Sequence, residues 1–435
     1  MLYKRHSRQV MVNSRQGNGL SHSGESRLRP EWTLIAFLWI CYVLNHADRQ
    51  VVYTLFPALQ SEFGFSDPVL GLTGALFLWV YGFCSPVAGV LGDRWSKTNL
   101  IVGSLAVWST FTLLSGLSPN GTFLLVCRAL LGVSESMFMP AAYALMANAH
   151  GPQTRSKAVG IFATSQMAGV ALGGSVSGYI AENYNWRVSF WLLGAAGLLF
   201  ALPLARFFRT IPNHFRVGAS ANSQPADAET FVKLLRIPSL RIVAVFAACS
   251  TFGLFLVYTW LPTFLYDKFS LGLARAGFEA SIYPQLGTLG GLLTGGALAD
   301  RYYVKVKAAR FWIVLVAFIA AAPAIFFLGS SDTLAQTRVA GIVFGFFAGF
   351  IAGNQAPAAF DVVPPSLRAS TIGILNMLGA AVSGFAPFLG GLARRTIGVH
   401  QVMTFTSGLY VCMAFLVTYG ILRHFDRDHQ RAQEA

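Results

Sequence analysis

Twelve stretches of this chain are long and apolar enough to cross a lipid bilayer, and that one property narrows the possible folds to very few. A helix needs about 20 predominantly apolar residues to span the hydrocarbon core. Inside lipid the backbone must satisfy its own hydrogen bonds, so a spanning segment is a helix or part of a closed barrel. The apolar runs fall near 32–58, 70–92, 99–117, 121–148, 158–181 and 188–208, then 240–266, 277–299, 309–329, 336–361, 369–393 and 401–422. Each is far longer than a barrel strand. Only 11% of the residues are charged, against about 25% in an ordinary soluble domain. The expectation is an all-α integral membrane protein of 12 transmembrane helices in two six-helix bundles, 32–208 and 239–424. A polar linker, 209–238, joins them. Residues 1–31 read as a disordered cytoplasmic tail, with no apolar core of the signal-peptide kind, and 425–435 as a second cytoplasmic tail.

The net charge of +14 raises the question of nucleic acid, and its distribution answers it. Of the 32 Lys and Arg residues, 24 lie in or at the borders of the two tails, the linker and the loops at 93–98, 149–157, 300–310 and 361–368. The opposite loops hold Arg187, Lys268, Arg275, Arg338, Arg394 and Arg395, and two arginines lie inside spans. Basic loops stay on the cytoplasmic side, so the charge orients the chain in a cell's inner (plasma) membrane with both termini and the linker cytoplasmic. Nucleic acid is not expected as a partner. The five cysteines are scattered singly through apolar stretches without metal-ligand spacing, which makes them packing residues. There is no phosphate-binding G-x-x-x-x-G-K-[ST] loop and no metalloprotease motif, so no cofactor, no metal and no enzymatic activity are expected.

The two halves repeat. "GVLGDRWSK" (89–97) returns as "GALADRYYVK" (296–305), with Asp93 and Asp300 separated by 207 residues. "PAAYAL" (140–145) returns as "PAAFDV" (357–362), and "RSKAVGI" (155–161) as "RASTIGI" (368–374). A duplicated six-span unit with both copies in one orientation is the parallel-repeat plan of secondary transporters, with a central cavity between pseudo-symmetric halves. Both G-x-L-x-D-R loops follow the second span of their half. Asp93, Arg94, Asp300 and Arg301 there can bond neighbouring helix ends and hold the cytoplasmic face closed, a gating role. On these features the chain resembles the major facilitator superfamily over residues 32–424. Ser96 departs from the usual glycine of its loop motif.

Four ionisable groups lie deep in spans: Asp48 and Arg49 on the first, Arg128 and Glu135 on the fourth. An aspartate or arginine at a helix centre costs about 2.5–3.5 kcal/mol on insertion scales. Arg128 and Glu135, seven residues apart, share one helix face at about 10 Å along the axis. Tyr42, Asn45, Arg49 and Tyr53 form a polar stripe beside Asp48. The expectation is that these groups face one another in the central cavity. Two carboxylates and two guanidiniums sum to zero, so the empty cavity can be neutral with every charge paired. An entering anion then leaves a buried charge unpaired, which is costly. One proton on Asp48 or Glu135 restores neutrality and frees an arginine, whose planar fork matches a carboxylate. That is proton–anion symport expressed as electrostatics.

A finer resemblance agrees. "NHADR" (45–49), "RALLGVSESMFMP" (128–140) and "YTWLPTFL" (258–265) are similar to stretches of the anion:cation symporter branch. The resemblance implies that Asp48 and Glu135 are the proton-linked acids, that Arg49 contacts a substrate carboxylate, and that Arg128 is an exchangeable ion-pair partner in the binding region. It also implies substrate contacts for Asn45, Tyr81, Gln166 and Asn376; as polar residues in spans these equally serve as helix–helix glue. His46 stands where the branch has tyrosine, and its role stays open. The glycines of "GVALGGSVSG" (169–178) permit close helix contact or rocking, and the stretch lacks the Gly-Pro pair of drug antiporters. The expected function is therefore proton-coupled uptake of a small organic anion, such as a sugar acid or carboxylate, by alternating access. The expected partners are that anion, protons and membrane lipid, and the expected functional unit is a monomer. The alternatives are a spinster-like lipid or lysolipid transporter, a proton-coupled drug exporter, and a receptor that binds without transporting.

Overall fold

The computed structural model describes residues 30–216 and 228–434; the expected N-terminal tail lies outside the described residues, apart from its last two. The described chain is helical throughout, and its helices form twelve membrane-length rods. The first span is α1 (Pro30–Thr54) followed by the short α2 (Phe56–Phe63), and the second and third are α3 (Asp67–Arg94) and α4 (Lys97–Gly116). The fourth is split into α5 (Gly121–Ser136) and α6 (Phe138–Ala149); α7 (Pro152–Asn183) and α8 (Trp186–Thr210) complete the first half. The linker carries α9 (Asn213–Arg216) and α10 (Ala228–Leu235). The second half runs α11 (Pro238–Phe269), α12 (Leu273–Tyr303), α13 (Ala309–Ser330) and α14 (Leu334–Phe360). Its eleventh span is again split, α15 (Arg368–Ser383) and α16 (Phe385–Ile397), and α17 (Val399–Gly420) leads through a π-helical turn into α18 (Asp426–Glu434). Ten of the rods are apolar enough to cross a membrane on length and composition alone. The other two, α1 and α12, have the length, at 25 and 31 residues, but α1 is diluted by its polar turn around Asp48 and Arg49 and α12 by its glycines and by Gln285 and the polar residues at its ends.

Proline explains where the rods break. A proline has no N–H to give the carbonyl four residues earlier, and its ring crowds that carbonyl. The breaks at Leu55, Met137 and Gly384 each fall two or three residues before a proline, at Pro57, Pro140 and Pro387. Elsewhere the helices start on ordinary caps. Asn120 accepts from the Phe123 amide at 2.9 Å, and Thr333 and Gln336 form a reciprocal capping box, each satisfying amides that the first helical turn leaves unpaired.

Each half has its own apolar core. One gathers α1, α3, α4, α6 and α7 around Trp108, Phe138 and Phe162; the other gathers α11, α13, α14 and α17 around Phe246, Phe318 and Tyr410. A third cluster crosses between halves, with Val52, Phe56 and Leu70 from the first and Leu256, Trp260 and Ala386 from the second. It lies at the end of the molecule away from the linker, here called the far side.

Among the described residues, the bonds between the halves lie in the far half. Arg394 on α16 bonds Asp67 at the start of α3 and, within its own half, Asp267 at the end of α11, both at 2.5 Å. The Ala274 amide donates to Glu182 at 3.2 Å, Trp79 Nε1 to the Ala381 carbonyl at 3.2 Å, and the Phe56 and Trp260 rings meet edge to face at 5.2 Å. Glycines at these crossings let backbones touch: a Cβ on Gly174 would lie 2.9 Å from the Gly277 carbonyl oxygen. Toward the linker side the same four helices carry Gly89 (α3), Gly160 (α7), Gly296 (α12) and Gly373 (α15), where an added Cβ meets nothing within 4 Å. Among the described residues the bonds and close glycine contacts between the halves concentrate at the far side.

The second G-x-L-x-D-R loop makes its bonds within its own half. Arg310 at the start of α13 donates to Asp300 at 3.3 Å and pairs with Asp361 beyond the end of α14, while its guanidinium lies over the Tyr303 ring. Asp300 thus ties neighbouring helix ends, and Arg301 is exposed. The side chains of Asp93 and Arg94 lie outside the described residues. The C-terminal segment is helical and docked: Asp428 accepts from the Ser239 amide at 2.9 Å, and His429 Nδ1 donates to the Asp361 carbonyl at 2.6 Å.

Candidate substrate site

The polar turn of α1 is wrapped on all sides. Against α7, a Cβ on Gly173 would lie 2.7 Å from the Ala47 Cα, and one on Gly169 2.7 Å from the His46 Cβ. These glycines of the "GVALGGSVSG" stretch therefore set α1 against α7, while Gly174 and Gly178 face α12 across the two halves. Against α3, Gly132 places α5 so that its Cβ would meet the Phe77 carbonyl oxygen at 2.6 Å. Gly132 sits between Arg128 and Glu135 on one helix face, and both side chains reach α1 from there, at different heights.

The four deep charges do not pair as two couples. Arg49 Nε donates to Glu135 Oε2 at 2.8 Å, with the arginine 13% exposed and the glutamate 1%. Asp48, 2% exposed, points elsewhere: its Oδ2 accepts from the Thr112 hydroxyl of α4 at 2.9 Å. Arg128, 1% exposed, donates through Nη1 to the backbone carbonyl of Asp48 at 3.1 Å and through Nε to that of Thr73 at 3.5 Å. Among the described residues it forms no ion pair. The expectation of a cavity with every charge paired is therefore corrected. Adjacent residues on a helix point about 100° apart, so Arg49 and Asp48 cannot both face α5. Seven residues along α5 put Arg128 about 10 Å from Glu135, too far for contact.

Aromatic rings complete the first-half wall. The Arg49 guanidinium lies 4.8 Å from the Phe77 centroid and 4.9 Å from that of Tyr81, and Arg128 lies 5.3 Å from the same Phe77. Tyr42 packs on His46 at 4.3 Å and stacks on Phe162 at 4.8 Å. His46 thus sits buried at the α1–α7 contact, with Nδ1 unpartnered among the described residues. Tyr143 packs edge to face on the same Phe162 at 5.9 Å. The Asn45 amide lies alongside Glu135, short of a well-formed hydrogen bond. Arg49 Nη2, Glu135 Oε1 and Asp48 Oδ1 are buried without a hydrogen-bond partner among the described residues, and unsatisfied buried polar atoms are costly. Gln166 is half-buried on α7 and Asn376 exposed on α15; neither is bonded to the charged cluster among the described residues.

Three participants escaped the sequence reading. Thr112, the partner of Asp48, carries no signal beyond being a threonine in an apolar span. Phe77 looks like any core residue. Tyr143 was legible in principle, since it lies eight residues beyond Glu135 on the same span, across the Pro140 break.

The far side of the site is closed by the "YTWLPTFL" stretch. Gln50, next to Arg49, reaches the Tyr258 carbonyl at 3.5 Å, and the Tyr258 hydroxyl accepts from Gln285 at 2.8 Å. Trp260 donates to the Pro387 carbonyl at 3.0 Å and lies 5.7 Å from the Arg394 guanidinium.

The Major Facilitator Superfamily family model matches residues 38–387. A hexuronate transporter of Bacillus subtilis (strain 168) is 25% identical over 397 residues, covering 89% of this chain and 92% of that protein. An MFS-type efflux pump of Mycolicibacterium smegmatis is 26% identical over 382 residues, covering 86% and 87%. A bacterial homologue of the human lysosomal transporter Spinster, solved inward-facing and unoccupied, superposes with a TM-score of 0.78 at 19% identity, covering 92% of this chain and 99% of that one.

Proposed function

The chain belongs to the Major Facilitator Superfamily, and from that premise we propose that it is a proton-coupled symporter taking up a small organic anion, such as a sugar acid or carboxylate. The observation that carries the reading is the Arg49–Glu135 pair, 2.8 Å apart and nearly sealed from water. A guanidinium whose charge is balanced by Glu135 has little attraction left for an anion. Protonating Glu135 removes that competitor and leaves Arg49 one net positive charge, its faces covered by Phe77 and Tyr81 and its Nη2 unbonded. An anion arriving at Arg49 in turn favours a proton on Glu135. The two ligands therefore assist each other, and such assistance is reciprocal by linkage.

In this reading Asp48 is the second proton-linked acid, held by Thr112, and Arg128 anchors the backbone of α1 rather than the anion. Asn45, Tyr81, Gln166 and Asn376 contact the uncharged part of the substrate. In this reading the linker and both termini lie in the cytoplasm and the protein sits in a cell's inner membrane, which the basic loops support. Alternating access then exchanges far-side contacts for linker-side ones, where Asp93, Arg94, Asp300 and Arg301 stand at the gate. The hexuronate transporter among the relatives supports an anionic substrate. Export is the rival reading, supported by the efflux-pump relative; a buried arginine beside a single acid is poorly suited to an apolar cargo. The deciding experiment is uptake of a panel of organic acids into proteoliposomes with an imposed proton gradient. Accumulation of an acid only when the outside is acidic supports the proposal; extrusion of lipids or apolar drugs with no acid transported overturns it.

A further inference from the structure

Resting on the organic-anion reading above, we infer that the site takes monoanions, one ionised carboxylate per molecule, and rejects dianions. The number of reachable cations sets this limit. Of the two deep arginines, Arg49 is partly exposed, whereas Arg128 is buried beneath it with Nη1 on the Asp48 carbonyl and Nε toward that of Thr73. The Phe77 ring lies within about 5 Å of both guanidiniums, so it occupies the space a second carboxylate would need to approach Arg128.

The second half offers no substitute. On α11 to α16 every charged residue lies within seven residues of an end of its span. The one set deepest from its helix terminus, Glu279 on α12, is held by Arg338 at 2.5 Å at the far side. What the middle of these helices supplies is neutral and polar: Asn376, Gln285 and the Tyr258 hydroxyl. With Glu135 protonated, the accessible wall therefore carries one positive charge against one carboxylate. A second ionised carboxylate would meet a wall that holds no cation for it, and a charge left unpaired once the site closes around it is strongly unfavourable.

The test compares matched acids that differ in one carboxylate. A hexuronate, its hexarate, and the hexarate's methyl monoester are offered to the purified full-length protein in a thermal-shift titration and as competitors in counterflow. The pH is set where all carboxylates are ionised. We expect the hexuronate and the monoester to compete and the hexarate to be about a hundredfold weaker or more. Asn376→Arg, which adds a cation to the exposed face of α15, should gain hexarate competition. Hexarate binding as tight as hexuronate in the unaltered protein overturns the inference while leaving the organic-anion reading intact. Hexarate binding lost in Arg128→Gln would identify Arg128 as the second anchor and overturn it by the same token. If no acid of either charge competes while another chemical class does, the underlying reading fails, and the inference with it.

Discussion

Arg49 and Glu135 stand 86 residues apart in sequence and share one 2.8 Å hydrogen bond across two helices, so the proposed anchor for the anion and the proposed acceptor for the proton neutralise each other. Few arrangements are as sensitive to a single change. Breaking a buried pair by removing one partner costs about 3–5 kcal/mol, which is a large share of a typical folding stability.

Arg49→Lys keeps the charge and loses the planar fork. It should abolish most substrate binding, because an ammonium can neither hold Glu135 through Nε nor present a second edge to a carboxylate. Substrate-dependent thermal stabilisation measures this directly. Near-normal affinity in the lysine variant would remove Arg49 from the anchor role.

Glu135→Gln mimics a permanently protonated acid and leaves Arg49 unopposed. The variant should bind the anion and exchange it across a membrane, yet fail to concentrate it when the outside is acidic. Counterflow and pH-driven uptake are to be measured on one reconstituted sample. Intact proton-driven accumulation shifts the coupling role to Asp48, and loss of both activities makes Glu135 a structural partner of Arg49.

Arg394→Ala removes the ion pair that links Asp67 of one half to the other. The far side should then open more readily. A cysteine in place of Leu70, which is buried in the cluster that crosses between the halves, should react faster with a membrane-impermeant thiol reagent in the Arg394→Ala background than with Arg394 present. Equal rates would show that the apolar contacts around Trp260 hold the seal without the arginine.

Val304 on the linker side is 80% exposed and stands beside the basic stretch 301–307. Val304→Cys should react with an impermeant thiol reagent from the cytoplasmic side alone. Labelling of intact cells from outside would invert the orientation inferred from the loops.

Glu62 lies near the end of α2, past the apolar run 32–58, and accepts from Trp186 Nε1 and Arg187 Nη1. Burial pushes its carboxyl up, but these hydrogen bonds and the nearby charge outweigh that and hold it lower than usual. A depressed carboxylate stabilises the fold above its unfolded pKa of about 4.3, and the contribution is lost as pH falls through the lower folded value. Partial exposure screens the effect. Glu62→Gln should therefore show a slightly shallower loss of melting temperature below about pH 4 than the unaltered protein, and an unchanged slope would assign the acid limb to other groups.

The twelve rods could be read directly because length and hydropathy act residue by residue, and lipid permits only one answer. The repeated loops gave the two halves in the same way. The breaks at Leu55, Met137 and Gly384 were also written in the sequence, as Pro57, Pro140 and Pro387, but a hydropathy profile averages over them. The membership of the charged cluster was legible for a similar reason: each deep charge is costly on its own. Its pairing was not. Which carboxylate meets which guanidinium depends on where α1 crosses α5, and that depends on Gly132 and Gly169 touching backbones far away in sequence. The same-face rule joined Arg128 with Glu135, whereas the crossing joins Arg49 with Glu135 and leaves Asp48 to Thr112.

The docked helix α18 bears on the order in which the molecule is made. Its Asp428 caps the amide of Ser239, at the first turn of the helix that opens the second half, and its His429 closes on the carbonyl following α14. Chains fold in the order they leave the ribosome, in cooperative units. The first half can therefore finish while the second is still being synthesised. The second half cannot complete its own beginning until residues some 190 positions later have emerged. A nascent second half thus waits, with the start of α11 uncapped, for the last few turns of helix to arrive.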